Sequence, residues 1–131
     1  NRKCGFLGVS GVSSDLREIS AAIEQGNARA KLAHDILCYQ IKKYVGAYAA
    51  AMNGLDCVVF TAGIGENNPQ IRYDSLSDMD YLGIEIDKAK NEQKNPCEIS
   101  SDSSKVKVYV IPTNEELVIA MDTQNIVNNL Y

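Results

Sequence analysis

The sequence predicts an α/β domain in which a few parallel strands are covered by helices. Three observations carry this. The run Cys57-Val58-Val59-Phe60 is continuously apolar, as in a strand covered on both faces. Val106, Val108 and Val110 alternate with Lys107 and Tyr109, the period of a strand with one drier face. Helical periodicity lies before, between and after these runs, so the order is helix, helix, strand, helix, strand, helix.

The elements follow in chain order. Gly5, Gly8 and Gly11 mark an opening loop. Asp15, with Glu18 three residues later, resembles a capping box for a helix from Leu16 to Gln25 that stops at Gly26-Asn27. The longest helix is expected over 28–52, with an apolar seam of Ala33, Leu37, Ile41, Tyr44, Tyr48 and Met52, and Asn53-Gly54 closing it. Cys38 and Cys57 sit in apolar stretches and read as small core residues. The first strand spans 56–62 and gives way to a tight turn at Gly63-Ile64-Gly65. Pro69 suits the first turn of the next helix, which is expected to end at Leu82-Gly83. Ile84 and Ile86 flank Glu85 as a short strand, and Lys88 to Ser104 reads as polar surface loop. The second strand ends at Pro112, and a last helix runs from Glu115 to about Leu130. Two strands make a thin sheet, and the chain opens on Asn1 rather than Met. Both suggest a piece of a longer protein.

Composition narrows the function classes. Of the 131 residues 45% are hydrophobic and 23% charged, the balance of a globular chain. A net charge of −4 argues against a nucleic-acid partner. The apolar runs are too short to span a membrane, and no signal peptide is visible at Asn1-Arg2-Lys3-Cys4-Gly5. The four cysteines lack metal or redox spacing, which suits reduced thiols in a cytoplasmic protein.

Three constellations could carry chemistry. Thr61-Ala62-Gly63-Ile64-Gly65-Glu66-Asn67 follows a strand, the edge of α/β sheets where ligands bind. Its glycines let a ligand approach the backbone, or they merely shape a βα turn. It is neither a Rossmann fingerprint nor a P-loop. Ile111-Pro112-Thr113-Asn114-Glu115-Glu116 opens a helix after the second strand. Thr113 and Glu116 fit a capping box, which leaves Glu115 either to the helix dipole or to a magnesium ion, a hard cation that prefers oxygen. Ser13-Ser14-Asp15-Leu16-Arg17 is a plain helix start or a place where Asp15 or Arg17 meets a nucleotide. His34, the single histidine, reads as packed or surface-exposed, because no carboxylate or cysteine pattern around it suggests a dyad.

Taken together, the segments resemble the acetate kinase family, more broadly the acetate and butyrate kinases. The matching strings are Gly5 to Arg17, Tyr44-Val45-Gly46-Ala47-Tyr48, Phe60 to Asn67, and Ile111 to Leu117, in the order and approximate spacing of that family's C-terminal end. The resemblance covers nearly the whole chain except Lys88 to Ser104. It implies part of an actin-like (RNase H-like) ATPase fold, with residues 1–131 as a C-terminal nucleotide-binding fragment of a two-domain kinase. It implies transfer of the ATP γ-phosphoryl group to acetate, giving acetyl phosphate and ADP. Asp15, Leu16 and Arg17 would lie near the adenosine, Gly63, Ile64, Gly65, Glu66 and Asn67 would line the nucleotide pocket, and Glu115 would be a Mg2+ ligand. No catalytic residue is assigned in this chain. The acetate pocket and the transition-state groups would lie upstream of Asn1, so the fragment alone is expected to be inactive. The family also implies a homodimer contact through this part. The rivals are a propionate or butyrate kinase and a dimerisation module without nucleotide affinity.

Overall fold

The computed structural model describes residues 4–94 and 97–130. The Asn1–Lys3 start, Asn95-Pro96 within the polar stretch, and Tyr131 lie outside the described residues. Helices α1 (Gly5–Ser10), α2 (Leu16–Glu24) and α3 (Ala28–Met52) come first. Strand β1 (Cys57–Phe60) then leads into α4 (Ala62–Asn67) and α5 (Pro69–Leu76). A 3₁₀ turn at Asp80–Leu82, α6 (Lys88–Asn91), β2 (Lys107–Val110) and α7 (Glu115–Asn128) complete the chain.

The α/β class stands: β1 and β2 pair in parallel, with Cys57 opposite Lys107 and Phe60 opposite Val110. The pairing extends at both ends, through Lys107 N–H to the Asp56 carbonyl and Ile111 N–H to the Phe60 carbonyl. A core of Phe60, Leu76, Met79, Ile84, Ile99, Val106, Val108 and Val110 lies under one face. A second, smaller core gathers Ile19, Ala22 and Ala30 between α2 and α3.

Several expectations are corrected. The glycine-rich opening is a helix, not a loop. Gly11, at φ 68°, ends α1 with its N–H on the Leu7 carbonyl, and Arg29 Nε donates to the Val9 carbonyl at 2.9 Å. Those bonds satisfy the last carbonyls of α1 and offset the glycine content. Among the described residues β1 is covered on one face only, and both Cys57 and Val59 are exposed. The second strand's alternation does hold, with Val108 and Val110 buried.

The buried face of α3 is also rotated from the expected seam. It runs through Ala30, Ala33, His34, Cys38 and Ala49, while Tyr44, Tyr48 and Met52 are exposed. Helix α5 stops at Leu76, and Gly83, at φ 83°, ends the separate 3₁₀ turn. The stretch Lys88 to Ser104 is not all surface. Asn91, Ile99, Ser100 and Ser104 are buried, and Ile99 N–H donates to the Val108 carbonyl, so this segment flanks β2 opposite β1.

Candidate functional site

Both strands run toward one edge, and the two segments that follow them meet there. After β1 the chain forms a short helix where a turn was expected. Ala62 heads α4 at φ 57°. That left-handed conformation costs a residue with a Cβ about 1–2 kcal/mol. Such strain persists where the surroundings over-determine it, as at ligand-contacting sites.

The two glycines of α4 differ. A Cβ on Gly65 would sit 3.2 Å from Phe60, so any side chain here would crowd the strand backbone against which α4 lies. A Cβ on Gly63 would meet nothing within 4 Å, because Gly63 faces open space. Asn67 Nδ2 donates to the Gly63 carbonyl at 2.9 Å and steadies that turn of helix.

The C-terminal end of α4 is held by a residue the sequence reading passed over. Arg72 is 1% exposed and forms no ion pair with a carboxylate among the described residues. Its Nη1 donates to the Gly65 and Glu66 carbonyls, at 2.8 and 2.9 Å. Its Nε and Nη2 donate to the Oδ1 and backbone carbonyl of Asn91, at 2.8 and 2.6 Å. Burial pushes the guanidinium pKa down from its ordinary value. Four acceptors compensate the buried cation and satisfy the helix-end carbonyls.

The second junction is tied to the first by Glu66. Its Oε1 accepts from both the backbone N–H and the hydroxyl of Thr113, at 2.9 and 3.0 Å. These bonds, the backbone one first, hold the Glu66 carboxyl below its usual range. Thr113 is therefore not a helix cap. Asn114 takes that role, its side chain accepting from the Leu117 N–H at 3.0 Å, and the expected Thr113–Glu116 capping box does not form.

At the start of α2, Asp15 accepts the Arg17 N–H at 2.8 Å and clasps the guanidinium at 3.1 and 2.6 Å. The clasp replaces the expected pairing with Glu18. It draws the Asp15 pKa down to about 2, chiefly through the side-chain hydrogen bond from Arg17.

These pieces frame two adjoining concavities. The larger, about 670 Å³, is lined by Leu16, Arg17, Ser20, Glu24, Gly63, Ile64, Asn67 and Asn68, among others. The other, about 410 Å³, is lined by Ala62, Gly63, Thr113, Asn114, Glu115 and Glu116. Gly63 borders both. Of the residues singled out in the sequence, Leu16, Arg17, Gly63, Ile64 and Asn67 line the first cavity and Glu115 the second. Asp15, Gly65 and Glu66 line neither. They hold Arg17, the β1–α4 contact and the Thr113 loop, respectively.

His34 is packed, one of the two expected placements, but its surroundings differ from the expected ones. It is buried, with a carboxylate (Asp74) and a thiol (Cys38) beside it. The His34/Cys38 spacing of four is visible in the sequence, whereas Asp74 reaches the pair only through packing of α5 on α3.

Comparisons with known proteins agree with this architecture. The chain is 57% identical over 131 residues to the acetate kinase of Acetivibrio thermocellus, covering 99% of this chain and 33% of that protein. The crystal structure of Porphyromonas gingivalis acetate kinase superposes with a TM-score of 0.86 at 55% identity, over 95% of this chain and 32% of that one. A propionate kinase from Francisella tularensis gives a TM-score of 0.83 at 43% identity, over 94% of this chain and 31% of that one. The chain thus spans about a third of the length of the relatives it matches. Residues 1–121 match the model of the Acetokinase family, and the chain belongs to that family.

Proposed function

We propose that this chain is the C-terminal nucleotide-binding part of a two-domain acetate kinase, which transfers the γ-phosphoryl group of ATP to acetate to give acetyl phosphate and ADP. The observation that supports this most directly is the position of Gly63 between two cavities of different chemistry. The larger has apolar walls from Leu16 and Ile64 with Arg17, Glu24 and Asn67 beside them, which suits a flat base and its ribose. The smaller presents Glu115 and Glu116. A nucleotide laid across Gly63, where no Cβ intrudes, would put adenosine in the first and phosphates in the second.

Mg2+ fits the second cavity because its donor set is carboxylate and amide oxygen. Glu115 would hold it, and the ion, when bound, neutralises charge on the phosphate oxygens. Phosphoryl transfer depends on such positioning more than on covalent help from the protein. In this reading the residues of this chain bind and orient the nucleotide. Acetate binds to the remainder of the longer protein, and the chain alone is inactive.

The likeness to a propionate kinase supports the wider class of short-chain acyl kinases, so acetate and propionate are to be compared as acceptors. The exposed Tyr44–Tyr48 stack on α3 supports a homodimer contact. The free thiols of Cys4, Cys38, Cys57 and Cys97 support a reducing, cytoplasmic setting. No described helix is long and apolar enough to cross a membrane.

Calorimetric titration with ADP, with and without Mg2+, tests the reading. Saturable binding that tightens with Mg2+ is expected, and Glu115→Ala should remove the Mg2+ enhancement while leaving helical content unchanged. Binding that ignores both Mg2+ and Glu115, in this chain and in the longer kinase that contains it, would refute the assignment.

A further inference from the structure

We infer that His34, Cys38 and Asp74 form a binding site for a zinc-class divalent cation, separate from the Glu115 cavity. His34 and Cys38 lie one helical turn apart on α3, and Asp74 faces them from α5. His34 Nε2 is 2.8 Å from Asp74 Oδ2 and 3.4 Å from Cys38 Sγ. One ligand atom from each residue lies within 4.8 Å of the other two.

A single proton satisfies this arrangement poorly. Nε2 can donate to Asp74 or accept from the Cys38 thiol, but it cannot do both at once. Three ligand atoms therefore converge on a point where a proton serves only two. A cation at that point serves all three, and a nitrogen, a sulfur and a carboxylate oxygen are the ligand types of tetrahedral zinc.

The surroundings carry a second indication. The Ser75 hydroxyl is fully buried without a hydrogen-bond partner among the described residues, and it is placed to donate to Cys38 once that thiol is a thiolate. A buried orphan hydroxyl costs free energy, and a metal-bound thiolate is the strong acceptor it lacks. Asp74 is oriented from its other oxygen, where Gln70 Nε2 donates to Oδ1 at 2.8 Å. His34 and Asp74 also border a cavity of about 380 Å³ with Ser20, Lys31 and Gln70, which gives the ion a route in and room for a fourth, water ligand. Binding one ion displaces the Cys38 thiol proton to solvent and forms the metal–sulfur bond.

Co2+ titration of the full chain tests the site. We expect one ion per chain, visible d–d bands of a tetrahedral centre, a near-ultraviolet thiolate-to-cobalt band, and displacement by Zn2+. The band should persist in a Cys4→Ser/Cys57→Ser/Cys97→Ser variant, which removes the exposed thiols, and vanish in Cys38→Ser. Should Cys38→Ser fail to fold, Asp74→Asn, at a partly exposed ligand, should still weaken Co2+ by at least about tenfold. Loss of the band in the triple variant, or unchanged affinity in Asp74→Asn, would overturn the assignment.

Discussion

The two segments that follow the strands have the same task and are built in opposite ways. The first, from Phe60 through α4, is locked from behind. Arg72 grips its last carbonyls, Asn91 grips Arg72 and the Pro69 carbonyl, and Gly65 lies flush on Phe60. The second, from Ile111 through α7, is exposed at every described residue, and the side-chain ties across to it come from Glu66. One wall of the cleft is thus fixed by its own fold, and the other, beyond the backbone bond from Ile111 to Phe60, is positioned through a single carboxylate. Glycine in the first segment serves packing at Gly65 and access at Gly63, and the two roles can be separated.

The largest effect should come from Arg72. Arg72→Ala strips partners from buried carbonyls and from Asn91, and leaving such groups unsatisfied costs about 1–3 kcal/mol each. We expect a loss of about 3 kcal/mol or more in urea unfolding, with the α4 amides losing exchange protection first. A loss below about 1 kcal/mol would mean that α4 is held by its strand contact alone.

The glycines come next. Gly65→Ala should destabilise by about 1–3 kcal/mol, because Phe60 backbone must yield to the new methyl group. Gly63→Ala should instead gain up to about 1 kcal/mol, since it relieves a helix glycine without a clash. If the nucleotide reading is right, the same Gly63 change weakens ADP binding. Equal stability effects at the two positions would erase the distinction drawn between them.

The smallest effect concerns Glu66. Its carboxyl is held below the usual value in the folded chain, so the Thr113 tie is fully present above about pH 4.5, the ordinary value. The tie is lost as pH falls through the lowered folded value. Exchange of the Thr113 amide should accelerate over that acid range, and Glu66→Gln should abolish this pH dependence. A Thr113 amide whose exchange is the same in wild type and in Glu66→Ala would mean that the second segment is held by something else.

Legibility in the sequence followed the range of the interactions. Helix α3 could be read end to end because its caps are local: Asn27 accepts from the Arg29 and Ala30 N–H groups, and Asn53 closes it in a left-handed conformation. The strands were legible from apolar pattern, although the bare face of β1 was not, since pattern does not say what covers a strand. Helix α1 was missed because three glycines outweighed its caps, and one of those caps is Arg29, a residue of α3. Arg72 was passed over because its partners at Asn91 lie 19 residues away, and the His34–Asp74 pair spans 40. The family resemblance drew attention to Asp15, Gly65 and Glu66, and the geometry adds what each does for the fold. Local chemistry thus gives elements and caps. The long-range bonds that hold the cleft depend on how those elements pack.

The parallel pairing of β1 with β2 carries a consequence for the order of folding. The bond from Thr113 to Glu66 joins residues 47 apart, and everything between them must be gathered before the cleft has two walls. Closing so long a loop has an entropic cost that local contacts do not repay in advance, which makes such pairings slow. The α2–α3 helical pair, stapled by neighbours in sequence, can form early. The cleft is therefore a late-maturing feature, and a ligand that bridges its walls should raise the refolding yield of this chain more than it raises its refolding rate.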